Sequence, residues 1–600
     1  MSNSFWSKKA TAKVCKGFFF LALAGGPCIF WPHLFEPLEA QKALFIRLCL
    51  IVALGSATLV YRKLTVVDFP VVLLMIVIIA WLSLSFTAHA ANREAGLVTE
   101  DWILALLGVV LAAHFSQGKA AISGLNGSLI GVLIVLSIFG FFQKYGPAAW
   151  HVAPSHQMVS TFNHPNLFAQ YALLVFPLLA GLIFTADSHG KWLSGYLLFG
   201  AATLPFVLTY ARGALLALLA SLAGFTLAAF IAAGRRRKTL FQGALMLGLV
   251  LGLLLISWSF DQPSRKRAHV LSPEPQQQIS SLKNRYDLWE QGYHAIREAP
   301  WFGCGPGQTM GCLAHYRQSD FAEKRWQHRD VHQDLMQLAL EFGVPFLLCY
   351  LALVFRLLQL ALRRFHALPR GSNERIHLLS FLFCFAAFFL HGLIDFPISR
   401  VVPRLYALAF LGMAAGPQLV EWRETSRPPK WPVRLVGGLL ILAFLAILLS
   451  RGVIDEAFSM WYVRQARVAA KQSDPATALA ACEPILKDRG QNYLRRSTCI
   501  TMTKKWLRQE SLPYLDELVL DFPENYKAAS FRGFGYLSNG RPAIACFEVD
   551  RAMWLWPRNP KWKRLLRAAE RKSSDKAQRR YCQKVEQRRQ MSVAETNELK

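Results

Sequence analysis

Long apolar runs alternate with short polar or basic segments along most of the chain. A helix needs roughly 20 apolar residues to cross the hydrocarbon core of a bilayer, and the hydropathy pattern predicts about thirteen such spans. The pattern therefore predicts an all-α polytopic membrane protein. The expected spans are 17–32, 43–60, 68–86, 102–116, 124–143, 165–185, 192–209, 214–233, 240–259, 335–355, 376–394, 402–419 and 433–450.

Two stretches are too polar to cross a bilayer. The first is a long loop, which contains the helical pattern SLKNRYDLWEQGYHAIREAP and the glycine-rich WFGCGPGQ. The second follows the last span, where KDRGQN, FPENY and WPRNP each come after an apolar helical run, with a repeat length typical of tetratricopeptide helix pairs. Such repeats serve either as a binding scaffold or as a stabilising cap. The predicted divisions are 1–259 (spans 1–9), 260–334 (long loop), 335–450 (spans 10–13), 451–567 (helical repeats) and 568–600 (basic tail).

The Lys and Arg residues predict the orientation. Basic clusters at 61–63, 235–238, 363–375 and 423–434 fall in alternate loops, together with the lysine-rich amino terminus. Cytoplasmic loops carry such an excess, so these segments are expected inside. The long loop and the carboxy-terminal tail are then expected outside the cytoplasm.

The formal net charge of +29 raises the possibility of nucleic-acid binding. Positive-inside anchoring explains much of this charge, and the basic tail suits membrane lipid head groups or glycans, so no nucleic-acid partner is predicted. The eleven cysteines include no CxxC pair and no His/Cys metal spacing. Cys304 and Cys312 form the closest pair in the long loop and are candidates for a disulfide if they meet an oxidising compartment.

Polar side chains gather at the predicted outward ends of several spans. Two arginines there can hold a diphosphate through forked hydrogen bonds, and a histidine can take the proton of an attacking hydroxyl. No carboxylate pair spaced for glycoside hydrolysis is evident, and no DxD-like metal motif for a nucleotide-sugar donor. An outward-facing site also has no ready supply of nucleotide sugars, so a lipid-linked glycan donor is favoured. The candidates are Asn166 in TFNHPN, Arg212 in LTYARGA, Arg285 in KNRYDLW, His332, Gln333 and Asp334 in HQDLMQ, and His391 and Asp395 in HGLIDFP.

These motifs, together with PWFGCGPG, occur in an order that resembles the O-antigen ligase/polymerase superfamily over roughly 155–415. The superfamily includes lipopolysaccharide O-antigen ligases, polymerase-like proteins and bacterial protein O-oligosaccharyltransferases. The resemblance implies a GT-C-like enzyme of the bacterial inner membrane with a periplasmic tail. It further implies that a glycan is transferred from undecaprenyl diphosphate to an acceptor hydroxyl, with inversion and with neither metal nor cofactor.

Carried over residue by residue, the resemblance makes His332 the base and Arg212 and Arg285 the diphosphate ligands. The superfamily usually has His-Asn where this chain has His332-Gln333, which leaves the second amide contact open. Gln333, Asp334, Asn166, His391 and Asp395 are supporting candidates. The alternatives are ordinary structural roles: anchoring of Arg212 at the interface, a surface ion pair of Arg285, and helix-end bracing by His391 and Asp395.

The acceptor remains open at this stage. Lipid A core or another glycolipid is favoured, and a lipid-linked glycan or a protein hydroxyl would make the chain a polymerase or a protein O-oligosaccharyltransferase. A polyprenyl-lipid transporter would also use arginines for the diphosphate, but the spans 68–86 and 240–259 offer few polar groups for a transverse path. A non-catalytic assembly factor would explain the repeats and leave His332 without a task.

Overall fold

The structure is a computed structural model. It describes residues 8–30, 38–60, 64–66, 68–89, 93–116, 119–146, 158–162, 164–232, 236–260, 275–316, 330–422, 454–487, 493–503, 512–521, 526–555, 560–573, 575–585 and 587.

Nearly all regular structure in these residues is α-helical, which confirms the predicted fold class. A short antiparallel ribbon pairs β1 (Leu64–Val66) with β2 (Val420–Trp422). The helices as far as β2 are α1 (Lys8–Gly25), α2 (Leu38–Val60), α3 (Phe69–Ala88), α4 (Arg93–Phe115), α5 (Lys119–Tyr145), α6 (Pro165–Phe184), α7 (His189–Val207), α8 (Arg212–Ala232), α9 (Arg236–Phe260), α10 (Pro275–Glu298), α11 (Thr309–His315), α12 (Asp334–Phe342), α13 (Val344–Ala367), α14 (Asn373–Gly392) and α15 (Val401–Ala415).

Within the ranges given above, nine helices are long and apolar enough to cross a membrane. They are α2 to α6, α8, α9, α13 and α14, and each corresponds to one predicted span. The predicted spans at 17–32, 192–209 and 402–419 correspond to helices α1, α7 and α15, which are not among the nine. The predicted span at 433–450 lies outside the described residues. The chain is thus a multi-pass membrane protein.

Helix α15 lies at the centre of the bundle and packs against α4, α13 and α14. Every residue from Val402 to Ala415 is buried, as expected for a helix that is apolar on all sides. Its one buried charge, Arg404, lies 3.8 Å from Asp101 of α4, which also forms a two-pronged ion pair with Arg47 of α2. These pairs connect three helices inside the bundle, where an uncompensated charge would be costly.

The predicted span at 335–355 is wrong in one respect, because the structure divides it into α12 and α13 at Gly343. Gly343 adopts a φ of +89°, and a Cβ added there would lie 1.8 Å from the carbonyl oxygen of Trp301. Glycine alone accepts that conformation and that close approach. The amide of Val344 donates to the carbonyl of Pro300 at 2.8 Å, so the loop segment WFG docks where the helix breaks. His332 is therefore followed by a short separate helix rather than by a membrane span.

The rest of the described chain is a series of short helices: α16 (Asp455–Lys471), α17 (Pro475–Lys487), α18 (Tyr493–Thr503), α19 (Leu512–Asp521), α20 (Tyr526–Ser538), α21 (Pro542–Leu555) and α22 (Pro560–Lys572). Neighbouring helices pack against each other, and a disulfide joins Cys546 to Cys582. The predicted tetratricopeptide character of this segment stays a prediction. The prolines of FPENY and WPRNP, which supported it, lie outside the described residues.

Candidate active site

A carboxylate between two histidines forms the centre of the site. Asp395 follows the end of α14, and its Oδ1 lies 3.1 Å from Nδ1 of His332. Its Oδ2 lies 3.3 Å from Nε2 of His391, one helical turn earlier. The side chain of His332 is 25% exposed, whereas those of Asp395 and His391 are buried. Only His332, of these three groups, can therefore meet a substrate directly.

The backbone holds His332 in an uncommon conformation. Its φ is +58°, a left-handed value that non-glycine residues seldom adopt. The buried Val331 precedes it, and Gln333 caps α12 by accepting a hydrogen bond from the amide of Met336. The imidazole also packs edge-on against Phe396, with ring centroids 4.7 Å apart. Neighbours on both sides in the chain thus fix the direction of the ring.

Electrostatics keep Asp395 ionised. Burial by itself would raise its pKa, but the hydrogen bonds from His332 and His391 outweigh burial and lower the pKa below the ordinary range. An ionised Asp395 accepts the Nδ1 proton of His332, which places the lone pair of the neutral imidazole on Nε2. A proton taken up at Nε2 would then be stabilised by the adjacent carboxylate.

Asp334 lies in the same region, but its side chain is buried and bonded to the backbone, as in a residue that stabilises the fold. It is 5% exposed, and both of its carboxylate oxygens lie 3.2 Å from the backbone amide of Ile398. It also lies against Gly392, where a Cβ would collide with the carboxylate. Burial raises its pKa well above the ordinary value. Asp334 thereby joins α12 to the segment that follows Asp395.

The two predicted diphosphate ligands are on helices that border this cluster. Arg212 is exposed at the start of α8, and a Cβ added at the next residue, Gly213, would lie 3.5 Å from the ring of His391. Arg285 is half-buried on α10. That helix packs on the segment before α12, since a Cβ at Gly292 would lie 3.4 Å from Val331. The fold therefore brings both helices to the end of the bundle that carries His332.

A glycine-rich turn supports α12 from the loop side. The amides of Cys304 and Gly305 donate to the carbonyls of Leu340 and Glu341 at 2.8 and 3.0 Å. The buried Glu341 carboxylate accepts from Thr309 at 2.7 Å and from Gln337 at 2.6 Å. A disulfide joins Cys304 to Cys312, the pair singled out from the sequence. The turn thus holds the helix that follows His332.

Arg400 is a further charged group at the site, and no motif in the sequence predicts it. Its guanidinium lies 2.9 Å from Glu39 and 2.5 Å from Asp330, and it stacks over Phe396 at 4.6 Å from the ring centroid. Burial would lower its pKa, but Asp330, Glu39 and Asp395 together raise it. The only sign of Arg400 in the sequence is its place five residues after Asp395. Its partner Glu39 lies 361 residues away in the chain, so the sequence does not reveal their contact.

His164 was also missed, although it belongs to the TFNHPN motif. Its Nδ1 accepts a hydrogen bond from the amide of Asn166 at 3.2 Å and so caps α6. The imidazole, rather than the amide side chain of Asn166, makes this cap. Desolvation by the surrounding protein lowers the pKa of His164. The negative charge of the nearby Asp395 partly opposes that effect. The start of α6 therefore lies close to the His332–Asp395 cluster.

Fold and site together define a polytopic membrane protein with a cluster of polar side chains at one end of its helical bundle. Residues 196–351 match the model of the O-antigen ligase family. This segment includes Arg212, Arg285, His332, Gln333 and Asp334, and the match confirms the resemblance to the O-antigen ligase superfamily. The matched segment is thus similar to O-antigen ligases, and the rest of the 600-residue chain lies outside the match. No curated protein matches the chain.

Proposed function

We propose that this protein transfers a glycan from undecaprenyl diphosphate to an acceptor hydroxyl at the periplasmic face of the bacterial inner membrane. The observation that carries the proposal is the contact between His332 and Asp395. His332 lies inside the segment that matches the O-antigen ligase model, and Asp395 follows that segment in the chain. A partly exposed imidazole oriented by an ionised carboxylate has the form of a general base.

In the proposed reaction, Nε2 of His332 removes the proton of the acceptor hydroxyl as its oxygen attacks C1 of the first donor sugar. The C1–O bond to the acceptor forms on the face opposite the diphosphate, while the C1–O bond to phosphate breaks. The electron pair of the broken bond leaves with undecaprenyl diphosphate. One displacement inverts the anomeric centre and forms no covalent sugar–enzyme intermediate.

Arg212 and Arg285 are the proposed diphosphate ligands. A guanidinium offers several N–H donors in a fixed plane, which matches the oxygens of a diphosphate. Charge held in this way makes the diphosphate a good leaving group, so the mechanism requires neither a separate acid nor a metal ion. Both lie on helices, α8 and α10, that reach the His332 cluster at Gly213 and Gly292, which supports this assignment.

A glycolipid such as lipid A core is the favoured acceptor. A lipid-linked glycan would make the protein a polymerase, and a serine or threonine would make it a protein O-oligosaccharyltransferase. Purified protein mixed with polyprenyl-diphosphate glycan and each acceptor class, with products resolved by mass, separates these three activities. A transporter of the same lipid would give no product with any acceptor.

The decisive variant is His332→Ala. We expect it to form no product while it still retains the donor, because donor binding depends mainly on the two arginines. His366→Ala, which changes an exposed histidine at the far end of α13, is the matched control and should behave as wild type. Both are assayed with divalent metal chelated. Near-normal product from His332→Ala, or a strict need for added metal, contradicts the mechanism.

A further inference from the structure

A small cavity with both polar and apolar walls lies beside the candidate active site, between the starts of α2, α6 and α15. Its polar lining consists of Glu39, Lys42, Gln170 and Arg400, and Phe162 contributes an aromatic wall. The enclosed space accommodates about one water-sized group. Nothing in the proposed mechanism uses it.

Gln170 is the unusual member of this lining. Its side chain is 1% exposed, on the second turn of the span α6. Neither its Nε2 nor its Oε1 has a hydrogen-bond partner within the part of the chain that the structure describes. Buried amides are normally paired. The unpaired Nε2 donor and Oε1 acceptor of Gln170 therefore indicate a binding position for a group from outside the protein.

The hydrogen bonds of the other polar lining residues restrict which chemical group can bind in the cavity. Lys42 Nζ already donates to the carbonyls of Pro27 and Ile29 at 2.6 and 2.7 Å and to Thr161 Oγ1 at 3.1 Å, which uses its three donors. Arg400 is paired with Glu39 and Asp330, yet its buried Nε has no partner among the described residues.

The unmet atoms are therefore two donor nitrogens, Nε2 of Gln170 and Nε of Arg400, and one carbonyl acceptor, Oε1 of Gln170. A hydroxyl satisfies this set, because its oxygen accepts hydrogen bonds and its proton is donated to the glutamine carbonyl. An anion would have no proton to donate to the carbonyl of Gln170. An apolar group would leave all three unpaired.

The cavity shares a wall with the reaction centre. Arg400 borders the cavity and also contacts Asp330, two residues before His332. It stacks on Phe396, the same ring against which His332 packs. Arg400 and Phe396 thus connect the cavity to His332, which favours a substituent of a sugar at His332 as the group that Gln170 binds.

We propose that this cavity is a subsite for one hydroxyl of a sugar at the reaction centre, bound by Gln170 with the Nε–H of Arg400. The inference rests on the proposed glycosyl transfer and adds a specificity-determining residue to it. The hydroxyl belongs either to the first sugar of the donor or to the acceptor sugar, and the test distinguishes these sources.

The test combines changes in the protein with changes in the substrate and compares their separate and joint effects on kcat/KM. Wild type and Gln170→Leu are assayed with a full donor glycan and with donors lacking one hydroxyl at a time on the first sugar. A second series uses monodeoxy acceptor sugars. Wild type should lose about 10- to 100-fold in kcat/KM with one deoxy substrate, because the buried amide is then left unpaired. Gln170→Leu should abolish that discrimination, and the series in which this happens identifies the source.

The matched control is Gln242→Leu. This change removes another buried amide, which donates to the carbonyl of Ile183 near the far end of α6. It should keep the wild-type preference among deoxy substrates even if stability falls. Gln170→Met serves as a second variant if the leucine substitution prevents insertion.

Three outcomes overturn the inference. Equal losses on all substrates in Gln170→Leu would mean that the amide only packs or holds an ordered water. Unchanged discrimination in Gln170→Leu would mean that the cavity has no part in specificity. Absence of product from wild type with every donor and acceptor would reject the proposed transfer, and this inference with it.

Discussion

His332 and Asp395 are 63 residues apart in the chain, yet the fold places Nδ1 of the imidazole 3.1 Å from a carboxylate oxygen. His391 holds the other oxygen of the same carboxylate at 3.3 Å. The two contacts fix the position of Asp395, and Asp395 in turn selects the tautomer of His332.

Replacement of Asp395 by asparagine tests this relationship. The amide preserves the size of the side chain but cannot stabilise an imidazolium, and it no longer favours the Nδ1–H tautomer. We expect kcat for glycan transfer to fall by about 10²- to 10⁴-fold, with donor retention unchanged. Asp187→Asn, at an exposed carboxylate paired with Lys191, is the control and should leave kcat unaltered. Parallel losses of donor retention and kcat would make Asp395 a structural residue only.

Lysine substitutions test the two diphosphate ligands. Arg212→Lys and Arg285→Lys each keep the positive charge but lose the planar fork that grips two oxygens, so activity should fall strongly while the protein still inserts. Arg363→Lys, at an exposed arginine near the far end of α13, provides the comparison. Transfer assays and membrane levels are measured together. Full activity in either site variant would reduce that arginine to an anchor or a surface ion pair.

Arg400 is expected to matter for stability as well as for the site. Its removal leaves the carboxylates of Glu39 and Asp330 without their shared partner in a largely enclosed position. Loss of one member of a buried ion pair typically destabilises a protein by about 3–5 kcal/mol. Thermal unfolding in detergent should show a clearly lower Tm for Arg400→Gln, and the triple variant Arg400→Gln, Glu39→Gln, Asp330→Asn should regain part of it. An unchanged Tm for the single variant would show that these pairs contribute little.

The raised pKa of Asp334 predicts a pH effect on stability. Its folded-state pKa lies above the ordinary aspartate value of about 3.9, so the folded protein binds this proton more tightly than the unfolded chain does. The stability contribution is then complete below that ordinary value and is lost as pH rises toward the folded-state pKa.

Asp334→Asn removes the ionisable group but keeps an oxygen that can accept from the amide of Ile398. We expect the Tm of this variant, relative to wild type, to improve as pH rises above about 4 toward the folded-state pKa of Asp334. For Asp395→Asn the change should instead fall below about pH 4. A lowered pKa contributes stability that is complete above the ordinary value and is lost as pH falls, so the Tm of this variant relative to wild type should improve as the medium becomes more acidic. A relative Tm of Asp334→Asn that declines toward pH 8 would contradict this account.

The orientation of the chain is tested with a fused reporter. We expect a reporter placed after residue 600 to be active only outside the cytoplasm, since the basic loops predict an inward amino terminus followed by an odd number of spans. A second fusion within residues 234–238 should report the cytoplasm. A cytoplasmic result for both fusions would place the tail on the side opposite the site.

The membrane class, the approximate spans and the principal site candidates could be predicted from the sequence because each leaves a local signal. Apolar runs reflect the length of a bilayer crossing, and short motifs such as HQDLMQ and HGLIDFP keep neighbouring polar groups together. Their shared location was also predictable in outline, since alternate loops of a membrane protein lie on the same side.

The pairing of those groups depended on tertiary structure. Arg400 and Glu39 meet although they are 361 residues apart in the chain. Gln170, whose amide has no partner among the described residues, lines a cavity between helices distant in the chain, where no periodicity marks it. Hydropathy predicts one continuous span through Gly343 because it carries no information on backbone conformation. Only the packing of Trp301 against this glycine shows why the helix must break there. Hydropathy places helices in the bilayer, but the direction of each helix face and the meeting of buried polar atoms are determined by packing in three dimensions.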